Sequence, residues 1–301
     1  MSDPTAEPGA PVENQADAIP PARDNSIAKE VEKRAPRLVD IARTPDKIIL
    51  RLNKLLAAPG GLSAFLSTFN YTLYLLTFLE LKSQPLQARI AQRLGKAAAA
   101  PRAGPSPIAS LATLLSSCRT TLRLLGVPPL YAWLRQLLQG PKPGQDRVLY
   151  ATALTQCTFY LLFQSLENIA LLTDHKVLSP ALTARFNKSG STARIYIWSY
   201  RAWFAGVVCD FVRLGREAQL ERAKRAKRSE GEKGGVSVLE EDQKADAKWW
   251  AEAVVPASWF PMALHFALEN GLPGFNLGVM GMAGGIAGLG RFASLWAATA
   301  E

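Results

Sequence analysis

Histidine is nearly absent: the 301 residues hold two, His175 and His265, far apart in the chain. Neither has a cysteine, aspartate or glutamate at metal-ligand spacing, so no metal site is expected. Cysteine is almost as scarce. Cys118, Cys157 and Cys209 are odd in number, widely spaced and set in apolar runs. That excludes a disulfide framework and reads as three buried, reduced thiols. The chain also lacks a Cys-x-x-Cys pair, a phosphate-loop lysine motif and a Gly-x-Ser-x-Gly elbow. No catalytic residue and no cofactor is expected, and the chain does not read as an enzyme. A secretory signal is missing too. Asp3, Glu7, Glu13 and Asp17 precede the first base, Arg23, where a signal wants a basic start and an apolar core. The chain ends Ala-Thr-Ala-Glu rather than Ser-Lys-Leu. The expectation is that any membrane is met from the cytosolic side.

What is present is apolar and basic. Hydrophobic residues make up 48% and the formal net charge is +10. That charge suits an anionic membrane face or a nucleic acid. The bases flank apolar helical stretches, and no nucleic-acid motif is found, which favours the membrane and excludes nucleic acid as partner.

Along the chain, residues 1–36 read as a disordered tail rich in proline, alanine and charge. A region of amphipathic and apolar helices follows over 44–174, then a C-terminal membrane region over 175–297. Thr44 and Pro45 suit the start of a basic amphipathic helix, with Lys47, Arg51 and Lys54 opposite Ile48, Ile49, Leu52, Leu55 and Leu56. Pro59-Gly60-Gly61 should break it. The uncharged run 62–79 could be a short span, an in-plane helix or a buried bundle helix. Residues 86–98 repeat the basic amphipathic theme, and 99–107 read as a linker. Over 108–125, Leu111, Leu114, Leu115, Cys118, Leu122 and Leu125 follow three-four spacing, with Arg119 and Arg123 on another side. Gly126-Val127-Pro128-Pro129 should interrupt it before a second helix from Leu130 to Leu138.

Residues 148–166 carry no charge and span about 28 Å, close to a bilayer core. They read as a transmembrane helix guarded by Arg147 and Glu167, or as a buried bundle helix. Over 193–214 the residues Tyr196, Trp198, Tyr200, Trp203 and Phe204, with Arg194 and Arg201, suit the headgroup zone. Arg222, Lys224, Arg225, Lys227 and Arg228 form a basic cluster for a membrane surface, within a flexible insert over 220–248. Residues 249–270 should be broken by Pro256 and Pro261. Finally Gly274, Gly278, Gly281, Gly285 and Gly288 recur at helical spacing in a charge-free run. Such small residues let membrane helices pack closely, and they read as a self-packing face. The fold class expected is all-α: a helical membrane protein with amphipathic interfacial helices and about two transmembrane helices, best placed at 148–170 and 272–296.

Four segments resemble the peroxin-11 family, in particular its fungal C-type branch. They are residues 45–79, beginning Pro-Asp-Lys-Ile-Ile-Leu-Arg-Leu; residues 118–138, where Cys-Arg-Thr-Thr-Leu-Arg-Leu-Leu-Gly is similar to an Arg-x-x-Leu-Arg-Leu-Gly element; residues 146–174; and the glycine-rich C-terminal helix. The resemblance implies a peroxisomal membrane protein that elongates the membrane before fission, associates with itself and meets a dynamin-type fission machine. It also implies that the helix 108–125 enters one leaflet, with Arg119 and Arg123 at headgroups and Leu111, Leu115, Leu122 and Leu125 among acyl chains. A channel for small solutes, lined by Asn70, Gln156 and Gln164, is the alternative function.

Overall fold

The computed structural model describes residues 38–95, 104–184, 191–231 and 236–300. The tail read over 1–36 lies outside the described residues, as does most of the linker read over 99–107. Among the described residues the chain is all-α, without a strand. It runs α1 (Leu38–Ala57), α2 (Pro59–Arg93), α3 (Pro107–Arg123), a 3-10 turn (Leu124–Gly126), α4 (Val127–Leu137), α5 (Arg147–Asp174), α6 (Pro180–Ala184), α7 (Ala193–Gly231), α8 (Val236–Ala267) and α9 (Leu277–Ala298).

Helix boundaries follow local chemistry, with three surprises. Pro59 opens α2 at its first turn, where a missing amide hydrogen costs nothing. Ser106 caps α3 by accepting from the Ala109 amide at 3.2 Å. Asp146 caps α5 by accepting from the Val148 and Leu149 amides at 3.0 Å. Thr44, however, does not start α1. No breaker lies between Leu38 and Thr44, so the helix begins at Leu38 and Pro45 sits inside it. Likewise Pro256 and Pro261 lie inside α8 without ending it, and 62–79 joins 86–93 in one α2 that contains Pro85.

The long helices pack α2 on α9, α9 on α8, α8 on α7 and α7 on α5. Shorter α3 and α4 lie against α2 and α5 respectively. An aromatic chain crosses this bundle. Tyr71 of α2 meets Trp259 of α8 at 5.6 Å, Trp259 meets Trp203 of α7 at 5.9 Å, and Trp203 meets Phe163 of α5 at 6.1 Å between ring centroids. Edge-on and offset contacts of this kind suit the ring quadrupoles. Trp203, Tyr200 and Phe204 therefore pack against α5 and α8 rather than lying at headgroups, while Trp198 is exposed.

The interior holds polar groups beside its apolar core, and many large apolar side chains lie outside. Asn70, Gln156, Gln164, Glu167, Ser199 and Asp210 are buried, whereas Leu76, Leu79, Leu114, Leu125, Leu162 and Trp250 are exposed. A protein folded in water buries its apolar groups first. In lipid, exposed leucine carries no penalty, and polar side chains gather inside where they can pair.

Among the described residues one helix is long and apolar enough to cross a membrane: α2, with 35 residues. At about 1.5 Å per residue it is about 52 Å long. The spans expected at 148–170 and 272–296 fall on α5 and α9, which do not meet that measure of length and apolarity. The charge-free run of α5 carries Thr152, Gln156 and Gln164, which turn inward. The α9 helix is largely apolar, with Arg291 its one charged residue, and has its glycine face against α2.

Candidate membrane-active surface

The α3 segment is attached to the bundle through its polar face. Asn70, 0% exposed in the middle of α2, donates from Nδ2 to the Ala112 carbonyl at 2.8 Å. Its Oδ1 accepts from Arg119 Nη1 at 2.9 Å, and the Arg119 guanidinium lies 4.7 Å from the Tyr71 ring centroid. One turn on, Arg123 Nε stands 3.1 Å from Oε2 of Glu167, which is 1% exposed on α5. The 3-10 turn is held in the same manner: Asn168 donates from Nδ2 to the Leu124 carbonyl at 3.2 Å, and its Oδ1 accepts from Gln164 Nε2 at 2.9 Å. Gly126 lies close against this network: a Cβ there would stand 2.9 Å from Gln164 Oε1. In α4 the Leu137 carbonyl accepts from the Tyr150 hydroxyl at 2.7 Å.

The arginines thus face protein partners, not the outside where the sequence reading put them. The reason is electrostatic: Glu167 in the interior needs a cation, and Arg123, immediately before the 3-10 turn, reaches it. The leucines do the opposite. Leu114 is 65% and Leu125 72% exposed, and Leu111 and Leu122 are also exposed, with Leu115 half-buried. Tyr131 and Leu138 are exposed along α4, with the exposed Arg135 on the same face between them. Cys118 lies on this exposed side, unlike Cys157 and Cys209, which are buried; the reading of three buried thiols holds for two.

The glycines have a different destination. Gly278, Gly281, Gly284 and Gly288 face α2 of the same chain. A Cβ on Gly281 would stand 2.5 Å from the Leu75 amide nitrogen and 2.8 Å from the Tyr71 carbonyl oxygen. One on Gly278 would meet the Phe78 ring at 2.5 Å, and one on Gly288 the Thr68 hydroxyl at 2.7 Å. The pairing of 278 with 78 and 288 with 68 makes α2 and α9 antiparallel. The small face is therefore occupied within the chain. Gly274 is not part of it: it sits in the turn before α9 at φ +78°, where a side chain would be strained. Gly285 has open space where its Cβ would be.

The basic cluster belongs to a helical hairpin rather than a flexible insert. The C-terminal half of α7 runs against the N-terminal half of α8. Arg225 Nη2 bonds Asp246 Oδ1 at 2.7 Å, Arg228 bonds Asp242, and Arg213 Nη1 bonds Glu252 Oε2 at 2.9 Å. Trp249 Nε1 donates to the Leu214 carbonyl at 3.0 Å at the hairpin base. Arg222, Lys224 and Lys227 remain exposed to solution or headgroups. Arg216 Nη2 ties the base to Asp146 Oδ2 at 2.8 Å. That hydrogen bond, then the Leu149 amide, hold the Asp146 carboxyl down at about 2. Arg225 likewise lowers Asp246.

Neither histidine faces a metal-like set. His265 Nδ1 accepts from the Leu272 amide at 2.9 Å and its ring stacks on Phe275, closing the α8–α9 turn. Among the described residues no group of three His, Cys, Asp or Glu side chains converges.

A family model described as peroxisomal biogenesis factor 11 (PEX11) matches residues 87–296, well over half of the chain. The chain belongs to the PEX11 family. It is accordingly a peroxisomal membrane protein with a role in peroxisome biogenesis and division. The match begins near the end of α2 and takes in α3 through almost all of α9. No curated protein and no solved structure matches the chain.

Asn70, Glu167 and Asn168 are the site residues that sequence reasoning missed as such. Their signal was present: polar groups interrupting or ending otherwise charge-free helical runs. In membrane helices such groups almost always turn toward the protein interior.

Proposed function

We propose that α3 and α4 form a ledge that enters one leaflet with its leucines outward while Arg119 and Arg123 stay clamped to the bundle. The observation that carries this reading is the reversed polarity of α3. Arg119 and Arg123 point to Asn70 and Glu167, and Leu111, Leu114, Leu122 and Leu125 point away. Burying each leucine in acyl chains contributes roughly 1.5–3 kcal/mol, enough together to seat the ledge. A ledge rigidly joined to a membrane-crossing helix adds area to one leaflet only, which favours curvature and tubule growth before fission.

The alternative of a solute channel has less support. Its supposed lining is engaged with protein: Asn70 with Arg119 and Ala112, Gln156 with the Gly206 carbonyl at 3.1 Å, Gln164 with Asn168. For self-association, α9 has its outward side of Met282, Gly285, Ile286 and Leu289 left for a second copy. A dynamin-type fission machine is the partner expected at the tubules so formed.

The test is overexpression of a fluorescent fusion beside a peroxisomal matrix marker. Wild type should elongate or multiply peroxisomes. Leu114→Ser with Leu125→Ser should reach the peroxisomal membrane without elongating it. Full elongation by that variant rules out the ledge.

A further inference from the structure

We propose that the cleft between α1 and the C-terminal end of α9 binds the phosphate headgroup of an anionic phospholipid. Lys47, Arg51 and Lys54 fall on one face of α1, and with Ile48, Leu50, Thr299 and Ala300 they line an open cleft of about 570 Å³. Arg51 is fixed in place. Its Nη2 donates to the Trp296 carbonyl at 2.7 Å, its Nε donates to Thr299 Oγ1 at 3.1 Å, and its guanidinium lies 4.4 Å from the Trp296 ring centroid. A cation already held loses little freedom when an anion arrives. Lys47 and Lys54 flank it and are exposed, so their ammonium groups can close on phosphate oxygens from either side.

The position in the fold selects a lipid over a free anion. α1 ends at Ala57, and α2, the helix long and apolar enough to cross a membrane among the described residues, starts at Pro59. The antiparallel α9 ends at the same level, with Trp296 one turn from its close. The cleft therefore lies where a headgroup layer would meet the bundle. Beside it Ile48, Ile49 and Leu50 are exposed, giving acyl chains an apolar surface that a free phosphate would not use. α1 also lies outside the residues that the family model matches. The site does not involve α3 and stands apart from the ledge.

The experiment is calorimetric titration of the full chain in neutral detergent. The probes are dioctanoyl phosphatidic acid, dioctanoyl phosphatidylcholine and inorganic phosphate. Saturable binding of phosphatidic acid alone is expected. Lys47→Gln with Lys54→Gln should weaken it on the order of tenfold, by the loss of two charge-assisted contacts. Arg222→Gln with Lys227→Gln removes the same charge elsewhere and should change it less than about twofold. Arg51 is kept, because it also holds α9. Equal weakening by both double variants, or unaltered binding by the first, would overturn the site. Inorganic phosphate binding as tightly as phosphatidic acid would overturn its assignment to a lipid.

Discussion

Replacing Arg123 by leucine removes the cation that faces Glu167. The carboxylate is 1% exposed, and the pair stands at 3.1 Å. Stranding one partner of a buried ion pair costs about 3–5 kcal/mol. The Arg123 side chain is 40% exposed, so screening has already weakened the pair and the expected cost falls to about 2–3 kcal/mol. Replacing both residues, Arg123→Leu with Glu167→Leu, leaves no stranded charge and should return to within about 1 kcal/mol of wild type. The cycle thus predicts a coupling of about 2 kcal/mol between the two positions. The assay is denaturant unfolding in detergent followed by tryptophan fluorescence, with the midpoint and slope compared across the four proteins. A loss below about 0.5 kcal/mol in the single variant, or strict additivity in the double, would refute the clamp. Arg123 would then be available to headgroups, as the family resemblance implied.

Three further outcomes follow from the same contacts. Gly281→Leu must push α2 and α9 apart against backbone atoms at 2.5 and 2.8 Å, so it should cost at least about 3 kcal/mol, whereas Gly285→Leu meets open space and should be neutral or slightly stabilising in a thermal melt. Asp146 has its carboxyl held at about 2 by Arg216 and helix amides, below the unfolded value of about 3.9. Its contribution is therefore complete above about pH 4 and is lost as pH falls toward 2; Asp146→Asn should remove that slope from the pH dependence of the melt. Maleimide in mild detergent should modify Cys118 quickly and Cys157 and Cys209 only after unfolding; equal rates for all three would contradict the packing of α5 and α7.

Much of the fold was readable because breakers act locally. Pro59 and Gly126 divide the chain where the structure divides it. The direction in which an amphipathic helix faces was not readable. Three-four spacing finds two sides of α3, but which side meets protein depends on Asn70 and Glu167, 49 and 44 residues from their arginines. The same limit applies to α9. A glycine period announces a close approach without naming the partner, and the partner is α2 of the same chain. The basic run 222–228 looked like free charge because its acids, Asp242 and Asp246, arrive only when α8 folds back. Proline, too, misled where tertiary packing carries a helix through it, as at Pro85, Pro256 and Pro261.

The depth of α3 in the membrane tests the central claim most directly. Cys118 lies on the exposed side of α3 and can carry an environment-sensitive fluorophore on the otherwise native chain, reconstituted into anionic liposomes. Quenching by lipids bearing a nitroxide near the top of the acyl chain, with little quenching by aqueous iodide, is the predicted result. A probe quenched by iodide and indifferent to the lipid nitroxide would place α3 in water and contradict the account.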